Sequence, residues 1–249
     1  MSARADLAVI ELASASDVGR ARSDNQDRDL VAPPLIAVAD GMGGHQGGGT
    51  AAGIAVDALR EVGATTNPTD LLNALKEANR AIGRAAFDEP GLAGMGTTAT
   101  AALLEGGILY LVHVGDSRAY LIRDGRIIQV TEDHSVVAEM VRRGTLAPDA
   151  AGSHPARHVI TRALGVDADV AIDALRVDLE PGDVVLLCTD GLSGPVPDAD
   201  ILDAVEGAAT LEAAADALVH RANAAGGPDN ITVVLARVDA VTREAAAAA

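Results

Sequence analysis

GTTATAALLEGGILYLVHVGDSRAYLIRDGRIIQVT, residues 96–131, decides the fold. Four β-prone runs, Thr97–Leu104, Ile108–Val114, Ala119–Arg123 and Arg126–Thr131, are separated only by Glu105-Gly106-Gly107, Gly115-Asp116-Ser117 and Asp124-Gly125. Asp-Gly between two such runs is a strong hairpin signal, because both central positions of the favoured turn need positive φ. Consecutive hairpins build an antiparallel sheet, unlike the strand–helix alternation of a doubly wound fold. Upstream, residues 7–15 read as a strand, 17–29 as a polar loop, and 29–39 as a strand made irregular by Pro33-Pro34. Helical spacing of apolar residues follows at 50–62, and again from Asn67-Pro68 to about Ala86. Downstream come a short helix at Ser135–Arg143, an irregular excursion over 144–157, and strands at 157–164, 170–177 and 183–189. Helices at 198–206 and 210–224 then precede a closing strand, Ile231–Val238. The sum is α+β in layers, sheets inside and helices outside. We expect a single domain over 1–249, with its core at about 7–239 and an alanine-rich tail at 241–249 that has no evident partner.

Composition narrows the function. The chain is 49% apolar, yet Phe87, Tyr110 and Tyr120 are its only aromatic residues. This argues against stacking surfaces for single-stranded nucleic acid. A net charge of −17, from 36 acids against 19 bases, repels phosphate backbones and makes nucleic acid an unlikely partner. Cys188 is the only cysteine, so disulfide frameworks and Cys-based zinc sites are ruled out. It lies in the apolar run Val184–Cys188 and reads as a small buried hydrophobe. Met1–Asp6 carries charge with no apolar run, and no stretch approaches the roughly 20 residues that span a bilayer. A cytoplasmic, monomeric protein with no membrane partner is the expectation.

The acids are not placed at random. Asp40-Gly41 ends the run Leu35–Ala39 and is followed by Met42-Gly43-Gly44 and by Gly47-Gly48-Gly49. Alone, this reads equally as a tight strand-to-helix turn or as a cation site. However, Asp116 follows Leu111–Val114, Asp190-Gly191 follows Val184–Cys188, and Asp229-Asn230 precedes Ile231–Leu235. Carboxylates from separated parts of the chain, each at a strand end beside a small turn residue, suggest one convergent site. Such a cluster repels itself, and divalent cations resolve the conflict. An all-oxygen donor set selects Mg²⁺ or Mn²⁺ over Zn²⁺.

Taken together, Arg22-Ser-Asp-Asn-Gln-Asp27, Asp40-Gly-Met-Gly-Gly-His45, Gly94-Met-Gly-Thr-Thr98, Gly115-Asp-Ser-Arg118, Thr131-Glu-Asp-His-Ser135, Thr189-Asp-Gly191 and Gly227-Pro-Asp-Asn-Ile231 resemble, in order, the motifs of the metal-dependent type 2C (PPM) Ser/Thr protein phosphatases in their bacterial form. The resemblance runs from Ser16 to Val238. It implies a four-layer α/β/β/α sandwich, a central antiparallel β-sandwich flanked by helices on both faces. It also implies hydrolysis of phosphoserine and phosphothreonine by direct attack of a water bridging two ions, with no phosphoenzyme. Phosphorylated proteins, a Ser/Thr kinase or its substrates among them, are the implied partners. By position, Asp40 resembles the carboxylate bridging two metals and the Gly41 carbonyl a ligand of the first. Asp190 and Asp229 resemble ligands of the second, and Asp116 with Asp190 matches a weaker third position. Arg22 matches the arginine that holds the substrate phosphate, and its planar fork suits that task. Asp27 matches a residue that orients metal-bound water, and Gln26 has a similar, weaker role. Met42 departs from the many relatives that carry a proton-donating His there, so a metal-bound water serves instead. Gly49-Thr50-Ala51-Ala52 departs from the frequent Gly-Glu-Xaa-Ala. Residues 144–160 match the family's variable flap, in and around which Arg143, Arg157 and Arg162 read either as contacts for acidic or phosphorylated substrates or as solvated charges. His45 and His134 read as structural, with His134 capping or packing below the hairpin.

Two other classes compete. A non-catalytic module on the same fold would have lost metal carboxylates, whereas the core acids are all present. A two-metal nuclease would need a basic groove, which the −17 charge opposes.

Overall fold

The computed structural model of the chain describes residues 7–44, 47–63, 65 and 67–240. His45, the segment 1–6 and the tail from Val241 lie outside the described residues. One five-stranded antiparallel sheet has the order β1 (Leu7–Asp17), β12 (Ile231–Ala240), β11 (Val184–Cys188), β8 (Arg118–Arg123), β9 (Arg126–Gln129). The other has the order β10 (Asp173–Asp178), β7 (Ile108–Val114), β6 (Ala99–Glu105), β3 (Leu35–Ala39), β2 (Arg28–Ala32), also antiparallel throughout. A two-stranded ribbon joins β4 (Gly41–Met42) to β5 (Gly96–Thr97).

Strand periodicity sorts the cores. In β3, Ala37 and Ala39 face helices α1 (Gly47–Val62) and α2 (Pro68–Asp88), while Ile36 and Val38 face the other sheet. In β8, Tyr120 and Ile122 face α4 (Asp190–Ser193), α5 (Asp198–Gly207) and α6 (Leu211–Ala224), while Ala119 and Leu121 point into the sandwich. Central strands are therefore buried on both faces and read as continuous apolar runs. The layers run helix, sheet, sheet, helix, as expected. Asn67 caps α2, its side chain accepting from the Thr69 amide, and Ser135 caps α3 (Val136–Arg142).

Two readings need correction. Residues 28–39 form a hairpin, β2 pairing with β3 across Pro33-Pro34, where a single interrupted strand was expected. The apolar pattern is the same for both, and only the prolines mark the reversal. Residues 157–164 form no strand; turns cover 155–158, and only Ile160 and Leu164 make isolated bridges, to Ser135 and Thr97. That segment runs across the ends of the sheet, so its backbone groups pair singly, as with Thr161 N–H donating to the His134 carbonyl at 2.7 Å.

Candidate metal centre

Each predicted acid sits where a strand ends, and each is fixed by a neighbour whose partner is distant in sequence. Asp40 leaves β3 with its amide donating to Thr98 Oγ1 (2.9 Å), and its carbonyl accepts from the Thr98 amide (2.9 Å) and Thr97 Oγ1 (2.8 Å). The Thr98 hydroxyl, which accepts from the Asp40 amide, also shares a hydrogen bond with Ser117 Oγ at 2.8 Å. The Asp40 turn is thereby tied to the Gly115-Asp116-Ser117 turn between β7 and β8. A Cβ on Gly41 would stand 2.2 Å from the Gly48 carbonyl oxygen and 2.6 Å from that of Gln26, so glycine is required by crowding backbone.

On the other sheet, Asp190 opens α4 directly after β11, and Asp229 lies just before β12. They are held side by side because Gly191 lets the chains touch: a Cβ there would fall 1.8 Å from the Asn230 carbonyl oxygen. Asp229 Oδ1 accepts from the Asn230 amide (2.8 Å), and Asp229 Oδ2 accepts from Arg22 Nη2 (2.7 Å). Arg22 itself is 56% exposed. Asn230 anchors the Arg22 loop, its Oδ1 accepting from the Gln26 amide and its Nδ2 donating to the Val18 and Asp24 carbonyls. Asp27 is buried, and its Oδ2 accepts from Thr189 Oγ1 at 2.9 Å.

Electrostatics show the acids share one cleft. Burial raises Asp40 well above the usual carboxylate range, with Asp27, Asp190, Asp116 and Asp229 adding to the shift. Burial pushes Asp27 up to about 7 against the pull of hydrogen bonds from the Thr232 and Thr189 side chains, with Asp190 and Asp229 adding to the rise. Asp116 also rises to about 7, from burial and then from Asp190 and Asp133. Burial and Asp229 raise Asp190.

Among the described residues, no three of these side chains stand close enough to be read as a ligand cage from geometry alone. The donor chemistry nevertheless fits a hard divalent cation. The set is all oxygen and mutually repelling, Asp27 is buried and the other four acids are half-buried, and Asp27 Oδ1 and Asp190 Oδ1 are buried atoms without a hydrogen-bond partner.

The remaining candidates fall outside the cleft or serve it indirectly. Met42 packs inward, its Cε against Gly96. Cys188 is buried and its thiol is pushed up to about 12 by burial, in keeping with a packing role. Arg143 pairs with Glu139 and Arg162 with Asp173. Thr98, Thr189 and Asn230 were not singled out from sequence, although each lies inside a quoted motif.

The chain is similar to known proteins over nearly its whole length. The family model described as protein phosphatase 2C matches residues 13–236. The serine/threonine protein phosphatase PstP of Mycobacterium tuberculosis is 42% identical over 234 residues, covering 92% of this chain and 45% of the relative. This chain thus spans about half the length of that relative. The serine/threonine phosphatase stp of Listeria innocua is 39% identical over 233 residues, covering 88% of this chain and 92% of its own. A solved catalytic domain of PstP in complex with two manganese ions superposes with a TM-score of 0.86 at 40% identity, covering 94% of this chain and 99% of that one. With motifs, layers and relatives in agreement, the chain belongs to the protein phosphatase 2C family, the PPM Ser/Thr protein phosphatases, in its bacterial form.

Proposed function

We propose that this chain hydrolyses phosphoserine and phosphothreonine in proteins, using two Mn²⁺ or Mg²⁺ ions and a weaker third. The observation that carries this reading is the electrostatic coupling of Asp40 to Asp27, Asp190, Asp116 and Asp229 at the ends of the two sheets, with Arg22 paired to Asp229 beside them. Asp40 is assigned as the carboxylate shared by both core ions, and the Gly41 carbonyl as a ligand of the first. Asp190 and Asp229 hold the second, and Asp116 with Asp190 forms the third position. The manganese in the PstP complex is consistent with that donor set. Bound there, divalent cations would supply an acidified water as the direct nucleophile and positive charge for the transferring phosphoryl group.

The chain's own residues do the rest. Arg22, whose Nη2 donates to Asp229 Oδ2 at the edge of the acids, clamps the substrate phosphate through its planar fork. Asp27, held by Thr189, accepts a hydrogen bond from the attacking water and orients it. Met42 carries no transferable proton, so a water held at the ions would protonate the leaving alkoxide in its place. We assign phosphoproteins, including a Ser/Thr kinase or its substrates, as partners of a cytoplasmic monomer that acts as a single catalytic domain. The −17 charge opposes nucleic acid.

The test is hydrolysis of p-nitrophenyl phosphate and a phosphothreonine peptide, with Mn²⁺ added and with excess chelator. Activity should require Mn²⁺ and fall by at least about a hundredfold in Asp40→Asn and Asp229→Asn. Full activity in either variant refutes the assignment.

A further inference from the structure

His134 is almost wholly buried, yet it touches none of the five cleft acids. It grips Gly115, the residue before Asp116, twice: its amide donates to the Gly115 carbonyl (2.8 Å), and its Nδ1 accepts from the Gly115 amide (3.0 Å). A backbone amide can only donate, so Nδ1 must be unprotonated and the ring proton resides on Nε2. Nε2 then donates to Asp173 Oδ2 at 3.2 Å. Arg162 Nη1, which also lies 3.1 Å from Nε2, takes Asp173 Oδ1 as its acceptor at 3.0 Å. Beneath, His113 packs its ring on His134 at 4.8 Å between centroids, and its Nε2 donates to the Glu132 carbonyl.

The same residue holds the returning limb of the flap. The Thr161 amide donates to the His134 carbonyl (2.7 Å), and the Val136 amide donates to the Val159 carbonyl (2.9 Å). Gly115 needs such a grip. Its φ is +111°, and a Cβ there would stand 2.5 Å from the Thr98 side chain, so no side chain of its own can lock the turn.

We propose that His134 is a positioning residue with two separable duties: Nδ1 sets the Gly115 turn and so aims Asp116, while Nε2, through Asp173 and Arg162, fastens the flap's return limb. The first duty rests on the proposed role of Asp116 as a metal ligand; the second does not.

Asn and Gln substitutions separate the two nitrogens. His134→Asn keeps an acceptor at the Nδ1 position and loses the link to Asp173. His134→Gln keeps a donor at the Nε2 position and leaves the Gly115 amide unpaired. Hydrogen exchange by mass spectrometry reads both ends. In His134→Gln, exchange over 113–117 should rise by about tenfold with 157–162 little changed; His134→Asn and Asp173→Ala should show the reverse. Calorimetric Mn²⁺ titration should show the weakest site losing about tenfold in affinity in His134→Gln alone. Equal effects of all three variants on both segments, or no effect on either, overturn the proposal, including where the cause is general loosening. A split in exchange with unchanged Mn²⁺ binding overturns the aiming of Asp116. If wild-type protein binds no Mn²⁺, the functional assignment fails, and exchange still decides the latch.

Discussion

Thr189→Val is the most direct test of how the scaffold holds the acids. The Thr189 hydroxyl is fully buried and makes two bonds at once, donating to Asp27 Oδ2 at 2.9 Å and accepting from the Thr232 amide at 3.0 Å. Valine matches the shape and removes both. It leaves the buried Thr232 amide without a partner and strips the buried Asp27 carboxylate of one of its two hydroxyl donors, Thr232 being the other, each change costing about 1–3 kcal/mol. Replacing a hydroxyl by a buried methyl returns roughly 0.8 kcal/mol. The net loss should be about 3 kcal/mol, which for a chain of this size lowers Tm by about 6–12 °C. Thr189→Ser keeps both bonds and should cost only about 1 kcal/mol for the lost methyl. Urea unfolding at pH 8 with chelator present keeps metal binding out of the comparison. A Thr189→Val loss below about 0.5 kcal/mol, or one smaller than that of Thr189→Ser, would refute the reasoning.

Three further outcomes are expected. Gly191→Ala should lose activity and more than about 4 kcal/mol of stability, because the Asn230 carbonyl 1.8 Å from its Cβ is backbone and must move; Gly53→Ala, inside α1 with open space around it, should instead stabilise by about 0.5–1 kcal/mol, both read by urea unfolding. Arg22→Ala should raise KM for a phosphopeptide more than it lowers kcat, with under about 1 kcal/mol of stability lost because the Asp229 pair is exposed; an unchanged KM would remove Arg22 from phosphate binding. Burial, and then His134, hold His113 near pKa 4, below its unfolded value of about 6.5, so its contribution to stability is complete above pH 6.5 and lost as pH falls toward 4; subtracting the His113→Asn unfolding curve from that of wild type should reveal a drop approaching about 3 kcal/mol over that window.

What could be read from the chain followed local physics. Asp124 and Gly125 have φ of 50° and 70°, the positive values that the Asp-Gly signal demands, and β8 and β9 pair across them. The acids were legible because each interrupts an apolar run at its end. The long-range partners were not. Thr98 meets Asp40 across 58 positions, Thr189 meets Asp27 across 162, and Asn230 meets Gln26 across 204; nothing in a threonine's neighbours announces such a bond. The resemblance gives the Gly41 carbonyl a cation to face. The structure adds a stronger requirement, the backbone of Gly48 and Gln26 within 2.6 Å of its absent side chain. Four-residue α4 was too short for any periodic signal, and the hairpin at Pro33-Pro34 shares one apolar pattern across both its strands.

The placement of the acids explains why those unannounced bonds are needed. Asp40 and Asp27 belong to the sheet containing β2 and β3, whereas Asp190 and Asp229 belong to the one containing β11 and β12. The site therefore straddles two sheets whose shared core is aliphatic, built from residues such as Ile36, Val38, Leu121, Leu187 and Val234. Aliphatic packing is non-directional; it holds two sheets together without fixing their offset to within a few tenths of an ångström. Repulsion between the carboxylates acts in the opposite sense, pushing the sheet ends apart. Directional bonds that cross between the two halves supply what is missing: Thr189 to Asp27, and Asn230 to Gln26. Each is buried or half-buried, where a hydrogen bond is electrostatically stronger and its loss is costly. Threonine and asparagine at these positions are thus as much a part of the site as the acids they space.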